Sequence, residues 1–486
     1  MLIIITIIFL FSELAMTQNL DFEQGLYYEY ESYKEKSLSH RRFKHSDIIP
    51  LINSLKDKNL FRVNKVGESA EKRDIYLVSI GAGPIKIFLW SQMHGDEATA
   101  TMALFDIFNF FSSNDRFNDF RTNLLKRVTL YFMPMVNPDG AEVFQRRNIF
   151  EIDINRDAVR QQTPEGQILK NTFDSLKANF GFNLHDQSIY YSAGNNFKSA
   201  TLSFLAPTTN YEKTVNPVRE DAMRLIANLY KTMSHFIPGH IAKYSDEFEP
   251  RAFGDNFQKW GTSTILIESG GWKDDTEKQF IRKLNFIALL SAFKNIAEET
   301  YKNEKLEDYE KIPFNEEMIM DMILKNLLFR QNGLEYLIDV GINREEINFN
   351  NAKDFYYGST VEDLGDLSVF YGYEEYDLNG MEIIPGKTYP EKINSLSEIE
   401  KLNFKELYNK GYTNVFLNSN DDKLSFTKFP INIATDENYV DKSEIDLDDS
   451  PNFIIKKDGI VKYVVINGFL VDPENMNFNG NGFVFK

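Results

Sequence analysis

An apolar run in this sequence leads through a polar turn into a helical pattern, and this order limits the folds that are open to the chain. The run Ile85–Trp90 has the length and composition of a buried strand. Residues 98–111 carry Ala, Met, Leu and Phe at helical spacing and are predicted to form a helix. Alternation of strands and helices is typical of α/β folds, in which sites form where loops converge at strand ends.

Two potential metal ligands lie in this turn. His94 and Glu97 are three residues apart, and a neutral imidazole nitrogen and a carboxylate oxygen are both good zinc ligands. Taken alone, His94 is explained more simply as a polar loop residue, because short motifs match by chance. A third ligand on another element decides between the two interpretations.

His185 is the candidate for that third ligand. It follows Phe180–Leu184, a mostly apolar run predicted to be a strand. Of the six histidines in the chain, only His94 and His185 end a clear apolar strand. Two ligands close together and a distant histidine leave the fourth zinc position to water. Taken alone, His185 is slightly better explained as a hydrogen-bonded histidine at a strand end.

Strand and helix patterns continue to alternate as far as Glu268. They predict a mixed, mostly parallel sheet with helices on both faces. A length of 486 residues favours two domains. We expect the α/β domain over residues 18–305 and a smaller, strand-rich accessory domain over 306–486, with some helix near Glu316–Phe329. The charged run Lys302–Lys311 is interpreted as the solvated end of a helix that leads into a linker.

Composition excludes several classes of function. The net charge of −18 argues against a nucleic-acid partner, because phosphate binding needs clustered basic side chains. The chain has no cysteine, which excludes disulfides, thiolate zinc sites, a cysteine nucleophile and a lipoprotein anchor on cysteine. Any metal must therefore be held by His, Asp and Glu.

The N-terminus resembles an export signal. Leu2–Phe11 is apolar apart from Thr6, too short to span a bilayer and of the length of a signal-peptide core. Ala15-Met16-Thr17 is an acceptable cleavage site, so residues 1–17 are predicted to be a signal peptide, although no basic residue precedes the core. We expect an exported protein, periplasmic or secreted, without a membrane span once the signal is removed.

Three further positions could carry chemistry. Arg156 presents a planar fork that can bind a carboxylate, or it forms an ordinary surface pair. Either Arg146 or Arg147 could stabilise an oxyanion, or both belong to a solvated basic patch. Glu268 ends a buried strand, where a carboxylate is costly unless it is paired or part of a site. It could be a general base near a zinc-bound water, or a capping residue.

In their order along the chain, these residues resemble the zinc carboxypeptidases of the carboxypeptidase A type. The resemblance covers roughly Phe43–Ala297 and leaves the C-terminal region outside. It rests on a set of motifs: His94-x-x-Glu97, Asn137-Pro138-Asp139-Gly140, Arg146, Asn155-Arg156, His185 and Glu268. The fold and activity that it implies are those of a zinc-dependent exopeptidase that hydrolyses the C-terminal peptide bond of a peptide with a free carboxylate.

The resemblance also implies a role for each residue. His94, Glu97 and His185 would bind Zn²⁺, and Asp153 would orient the first histidine. Asn155 and Arg156 would bind the substrate carboxylate, and Tyr244 is the candidate for the family's mobile tyrosine. Arg146 would polarise the scissile carbonyl, and Glu268 would transfer the proton from water to the leaving amine. Phe253 lies near the specificity position and would favour apolar or aromatic groups.

Two alternatives remain at this point. A related zinc amidase or deacylase, acting on cell-wall peptides or N-acyl amino acids, would use much the same residues, although the Asn-Pro-Asp-Gly segment favours the peptidase. A secreted binding protein that has lost catalysis would lack a ligand or the base, whereas all of them are present here.

Overall fold

The computed structural model describes residues 22–331, 333–418, 423–436 and 438–486. The chain divides between Glu317 and Met318 into two compact units. The predicted signal peptide, residues 1–17, lies outside the described residues, so export stays a prediction from the sequence. Among the described helices, none combines the length and the apolar character that crossing a bilayer requires.

The first unit is built on an eight-stranded mixed sheet. The strands of the first unit are β1 Arg62–Glu68, β2 Asp74–Gly81, β3 Ile85–Ser91, β4 Val128–Met133, β5 Phe180–Asp186, β6 Tyr191–Ala193, β7 Leu202–Leu205, β8 Ile241–Lys243, β9 Ser263–Ser269 and β10 Asn315–Glu317. The order in the sheet is β1-β2-β4-β3-β5-β9-β7-β8, and β6 and β10 form a separate pair. The central strands β4, β3, β5 and β9 are parallel. Their carboxyl ends therefore meet at one edge of the sheet.

Helices cover both faces of this sheet. They are α1 His45–Lys56, α2 Thr99–Ser112, α3 Asn118–Arg127, α4 Pro138–Val143, α5 Pro164–Leu176, α6 Pro217–Met233, α7 Phe253–Lys259, α8 Gln279–Glu298 and α9 Leu306–Glu310. Short 3₁₀ turns lie at Tyr30–Ser32, Ile154–Arg156 and Thr300–Asn303.

The alternating side chains of β3 show how the two faces are buried. Ile87 and Leu89 pack in one cluster with residues of α2, α6 and α8. Phe88 and Trp90 pack in a second cluster with residues of α5 and α7. Successive side chains of a strand point to opposite faces, so a strand with helices on both sides is a continuous apolar run. The predicted α/β fold with helices on both faces is confirmed.

The second unit is rich in strands, as predicted. These are β11 Ile319–Gln331, β12 Leu334–Phe349, β13 Asp354–Gly365, β14 Tyr371–Asp377, β15 Glu382–Pro385, β16 Lys387–Ile393, β17 Tyr412–Leu417, β18 Phe426–Thr427, β19 Asn432–Ala434, β20 Phe453–Lys457, β21 Ile460–Ile466, β22 Phe469–Val471 and β23 Gly482–Phe485. Two short helices, α10 Leu396–Ile399 and α11 Phe404–Asn409, accompany them. The strands form one eight-stranded and one five-stranded sheet.

The predicted helix near Glu316–Phe329 is wrong. This segment holds the end of β10 and most of β11, which pairs antiparallel with β12. Met322 and Leu324 are buried in one apolar cluster and Ile323 in another. Because both faces of the strand are covered, its apolar residues do not alternate with polar ones, and the pattern resembles that of a buried helix.

The interpretation of Lys302–Lys311 as a solvated end leading into a linker is also wrong in part. The short helix α9 lies within this run. Tyr309 is fully buried, and its hydroxyl accepts a hydrogen bond from the Ala206 amide at 3.2 Å. Tyr309 thus anchors a segment whose other residues are mostly charged and would otherwise be expected to lie in solvent.

Candidate metal centre

The turn between β3 and α2 holds the first two predicted ligands. His94 and Glu97 are both buried, and His94 Nδ1 lies 2.7 Å from Glu97 Oε1. A Cβ atom on Gly95 would lie 2.1 Å from the carbonyl carbon of Gly140. The turn can therefore approach the start of α4 so closely only because residue 95 is glycine.

The Asn137–Gly140 segment lies beside the turn that holds His94 and Glu97. It begins the short helix α4, with Asn137 as its N-cap: the Asn137 side chain accepts a hydrogen bond from the Gly140 amide at 2.9 Å. Pro138 takes the first helical position, where its missing N–H costs nothing. The backbone of this segment packs against the turn that holds His94 and Glu97.

His185 completes the cluster from the neighbouring strand. Strand β5 pairs parallel with β3. His185, at the end of β5, therefore lies beside the turn that holds His94 and Glu97. Its Nδ1 atom lies 2.6 Å from Glu97 Oε2 and 3.1 Å from His94 Nδ1. The three residues each present one ligand atom, and these atoms all lie within 4.8 Å of one another. The structure thus brings together residues that are 91 positions apart in the chain.

This donor set fits a zinc ion. Two imidazole nitrogens and a carboxylate are its usual ligands in sites that leave one position for water. Both histidines turn Nδ1 towards Glu97, the arrangement that places two lone pairs and a carboxylate around one point.

The charges of the cluster also suit a cation. Burial would raise the pKa of Glu97, but His94 and His185 hold it well below its usual range. Burial lowers the pKa of His185. It acts in the same direction on His94, where Glu97 and Asp153 outweigh it and raise the pKa to about 9. The carboxylates of Glu97 and Asp153 thus favour a positive charge at His94. A metal ion bound to His94 supplies that positive charge in place of a proton.

Asp153 and Arg146 lie against the first histidine. Asp153 Oδ1 is 3.1 Å from His94 Nε2, and Arg146 donates to Asp153 Oδ2 from Nε at 3.1 Å and from a terminal nitrogen at 2.9 Å. The other terminal nitrogen of Arg146 lies 3.4 Å from Glu97 Oε1. Arg147 instead donates to the Glu151 carbonyl at 2.8 Å. Of the two arginines that the sequence left open, Arg146 is therefore the one at the cluster.

Asn155 and Arg156 lie in the 3₁₀ turn after Asp153. Asn155 Oδ1 accepts a hydrogen bond from the Phe253 amide at 3.0 Å. Arg156 donates to the Asn155 carbonyl at 2.9 Å, and its Nε atom lies 3.2 Å from Glu249 Oε2. The guanidinium is partly exposed, so it remains accessible to a ligand from solvent.

Glu268 lies beside His185 on the adjacent strand. In the β5–β9 register His185 pairs directly with Glu268. The side chain is buried, and burial and the charge of Glu97 raise its pKa well above the usual range. Glu268 is thus a carboxyl group with high proton affinity at the edge of the cluster.

Tyr244 and Phe253 have different environments. Tyr244 is half-buried directly after β8, and burial together with the charge of Glu268 raises its pKa. Phe253, the residue expected near the specificity position, is fully buried and packs edge-on against Phe257 at 5.7 Å between ring centroids. Its side chain therefore belongs to the core.

Sequence reasoning missed two neighbours of the site. The Asp186 amide donates to Glu97 Oε2 at 3.1 Å, while the Asp186 side chain accepts from Thr99 and Lys278. Glu249 is the ion-pair partner of Arg156. The residues adjacent to Asp186 and Glu249 in the sequence do not reveal these contacts, because each contact joins segments about 90 residues apart.

Residues 50–245 match the family described as zinc carboxypeptidase. Human carboxypeptidase D is 24% identical over 143 residues, which cover 26% of this chain and 10% of that protein. Carboxypeptidase SOL1 of Arabidopsis thaliana is 28% identical over 109 residues, which cover 21% of this chain and 22% of that protein. The alignments thus span less than a quarter of either relative.

Solved structures give similar matches. A metallo-carboxypeptidase from Burkholderia cenocepacia has a TM-score of 0.43 and 13% identity, over 53% of this chain and 70% of that chain. Bovine thrombin-activatable fibrinolysis inhibitor has a TM-score of 0.45 and 15% identity, over 55% of this chain and all of that chain. Glu268 lies beyond the matched residues 50–245, whereas His94, Glu97 and His185 lie within them. Through those residues the chain is similar to the zinc carboxypeptidase family.

Proposed function

We propose that this protein is a zinc-dependent exopeptidase that hydrolyses the C-terminal peptide bond of peptides. The observation that carries the proposal is the cluster of His94, Glu97 and His185 with Glu268 on the adjoining strand. The family match to zinc carboxypeptidases supports it. The amidase alternative needs the same cluster, and the family match favours the peptidase.

His94, Glu97 and His185 would hold the zinc ion. When bound, zinc supplies Lewis acidity and lowers the pKa of a coordinated water towards 7. The chain's own residues bind and orient the peptide and move the proton.

Glu268 is our candidate for the general base. Glu268 pairs in register with His185, one of the candidate zinc ligands. A raised pKa suits a group that must accept a proton near neutral pH and return it to the leaving amine. Arg146, whose side chain is 43% exposed, keeps its positive charge beside the cluster and would stabilise the oxyanion of the scissile carbonyl.

Arg156 is our candidate for the residue that selects a chain end. A guanidinium binds a carboxylate with two parallel hydrogen bonds, which an internal peptide group cannot form. Asn155 would assist, and its side chain is fixed by the Phe253 amide. Tyr244 lies close enough to Glu268 for their charges to interact and would cover the bound residue.

The test compares two peptides that differ only at the C-terminus. The zinc-loaded protein should release the last residue from a peptide with a free carboxylate and leave the corresponding amide intact, as followed by mass spectrometry. Glu268→Gln should lower kcat at least about 10³-fold while zinc stays bound. Cleavage of both peptides, or full activity in the variant, would contradict the proposal.

A further inference from the structure

Arg156 already has a carboxylate partner in this structure. Glu249 Oε2 lies 3.2 Å from Arg156 Nε, and the two side chains are 29% and 35% exposed. Under the proposed function, Arg156 must bind the terminal carboxylate of the substrate. An internal carboxylate therefore occupies part of the surface that the substrate needs.

Glu249 is held more firmly by a second arginine. Arg251 donates to Glu249 Oε1 at 3.0 Å and to Oε2 at 2.9 Å, and the Arg251 amide also reaches Oε1 at 3.1 Å. The hydrogen bonds from Arg251 are the main cause that lowers the pKa of Glu249, and the charge of Arg156 adds to it. If Glu249 leaves Arg156, its charge therefore remains paired with Arg251.

The backbone fixes this arrangement beside Arg156. The Ala158 amide donates to the Arg251 carbonyl at 3.1 Å, which ties the loop to the segment that follows Arg156. Asn256 donates to the Pro250 carbonyl at 2.8 Å, and the Glu249 amide donates to Asp255 at 3.2 Å. Glu249 and Arg251 thus project from a loop that is anchored on both sides.

Building on the proposed function, we propose that Glu249 is a positioning residue that competes with the substrate's terminal carboxylate for Arg156. A bound substrate displaces Glu249 from Arg156, and Arg251 keeps the displaced carboxylate. Glu249 raises KM by this competition, and Arg251 lowers KM because it draws Glu249 away. Neither residue takes part in the bond-breaking step, so kcat does not depend on them.

Matched variants test the competition. Because the Glu249–Arg156 pair is partly exposed, each substitution should change KM by roughly two- to five-fold. Glu249→Gln should lower KM for a peptide with a free C-terminus, and Arg251→Gln should raise it, both at unchanged kcat. The double variant should have the KM of Glu249→Gln, since Arg251 acts only through Glu249. Glu247→Gln, an exposed change of the same charge in the same loop, should leave KM unchanged.

Three results would overturn the proposal. They are an unchanged or raised KM in Glu249→Gln, a lowered KM in Arg251→Gln, and an effect of Arg251→Gln that persists in the double variant. The last result would mean that Arg251 contacts the substrate directly.

A binding measurement separates this proposal from the proposed function. If the protein hydrolyses no peptide, the proposed function fails, and calorimetric titration with N-acetyl-L-phenylalanine still tests the competition. Tighter binding of this carboxylate to Glu249→Gln than to the unaltered protein supports competition at Arg156. Equal affinity, or no binding by either protein, refutes it.

Discussion

At the scale of single residues, Asp153 links the parts of the site. One of its oxygens lies 3.1 Å from His94 Nε2 and accepts the Asn155 amide at 2.8 Å, while the other receives two hydrogen bonds from Arg146. A carboxylate on the far nitrogen of a metal-binding histidine fixes the tautomer and the ring orientation. Asp153 therefore positions His94, Arg146 and the 3₁₀ turn together.

Replacing Asp153 should weaken metal binding. Asp153→Asn keeps the shape but removes the charge that orients His94, so zinc affinity should fall about 10- to 100-fold. Competition with a chromogenic chelator measures the affinity. Glu151→Gln removes a charge from the same loop at an exposed position and serves as the control. Equal affinities in Asp153→Asn and in the unaltered protein would contradict this role.

Asp255 makes stability depend on pH. Burial is the main cause that raises its pKa from 3.8 to about 7, with Glu249 raising it further and Arg156 opposing. Between about pH 4 and 7 the folded chain keeps a proton that the unfolded chain has lost. This group therefore lowers the free energy of unfolding by up to about 1.4 kcal/mol per pH unit as pH rises through that range.

Asp255→Asn removes this titration. Urea unfolding at several pH values should show that the variant gains stability relative to the unaltered protein as pH rises from about 5 to 7. A stability difference that does not change with pH would show that Asp255 titrates normally in the folded protein.

The sequence predicts the three candidate ligands from local signals. His94 and Glu97 share one turn, and His185 ends an apolar run, so each could be recognised from its neighbours. Which of Arg146 and Arg147 faces the cluster could not be predicted, because the direction of a loop side chain depends on tertiary contacts. The partnership of Glu249 with Arg156 was beyond prediction for the same reason.

At the scale of elements, a buried ion pair joins two helices on one face of the sheet. Arg282 of α8 donates to Asp106 of α2 at 2.7 and 2.5 Å, and both side chains are fully buried. Asp106 also accepts the Tyr30 hydroxyl at 2.8 Å and the Glu35 amide at 2.7 Å. The pair therefore ties the N-terminal segment to both helices.

Breaking this pair should destabilise the first unit strongly. Arg282→Met leaves Asp106 buried without its charge partner, which costs about 3–5 kcal/mol. Replacing both residues, as Asp106→Leu with Arg282→Met, removes both charges and should cost less than the single change. Urea unfolding followed by circular dichroism measures both. A loss below about 1 kcal/mol in Arg282→Met would show that the pair is not important for stability.

Strands that are marked by an apolar run between polar turns could be predicted. Elements whose state depends on pairing with distant parts of the chain could not. Strands β3, β5 and β9 are bounded by polar turns and were placed within about two residues. The strand state of β11 could not be predicted, because its neighbours β12 and β14, which lie later in the chain, determine it. The run Lys302–Lys311 is predicted to be solvated because most of its residues are charged, whereas the burial of Tyr309 depends on a contact with a distant segment.

At the scale of the whole molecule, the chain has two units with separate apolar clusters. The sheet that carries the metal cluster belongs to the first unit, and the clusters around Met322 and Ile433 belong to the second. We propose that the domain boundary lies near residue 317. Each unit then has the core that independent folding requires.

A chain that ends at Glu317 should test this boundary. It should unfold cooperatively and bind zinc as tightly as the full chain, because the three candidate ligands, His94, Glu97 and His185, all precede residue 317. Circular dichroism and zinc titration check the two expectations. A shortened chain that is unfolded, or folded without zinc affinity, would show that the second unit is needed to form the site.

The zinc content of the purified chain shows whether His94, Glu97 and His185 bind a metal ion. After zinc loading and dialysis, elemental analysis should find one zinc ion per chain in the full-length protein and almost none in His185→Ala or Glu97→Ala, with circular dichroism showing that both variants are folded. One zinc ion per chain retained in both folded variants would contradict the claim that His94, Glu97 and His185 form the metal centre.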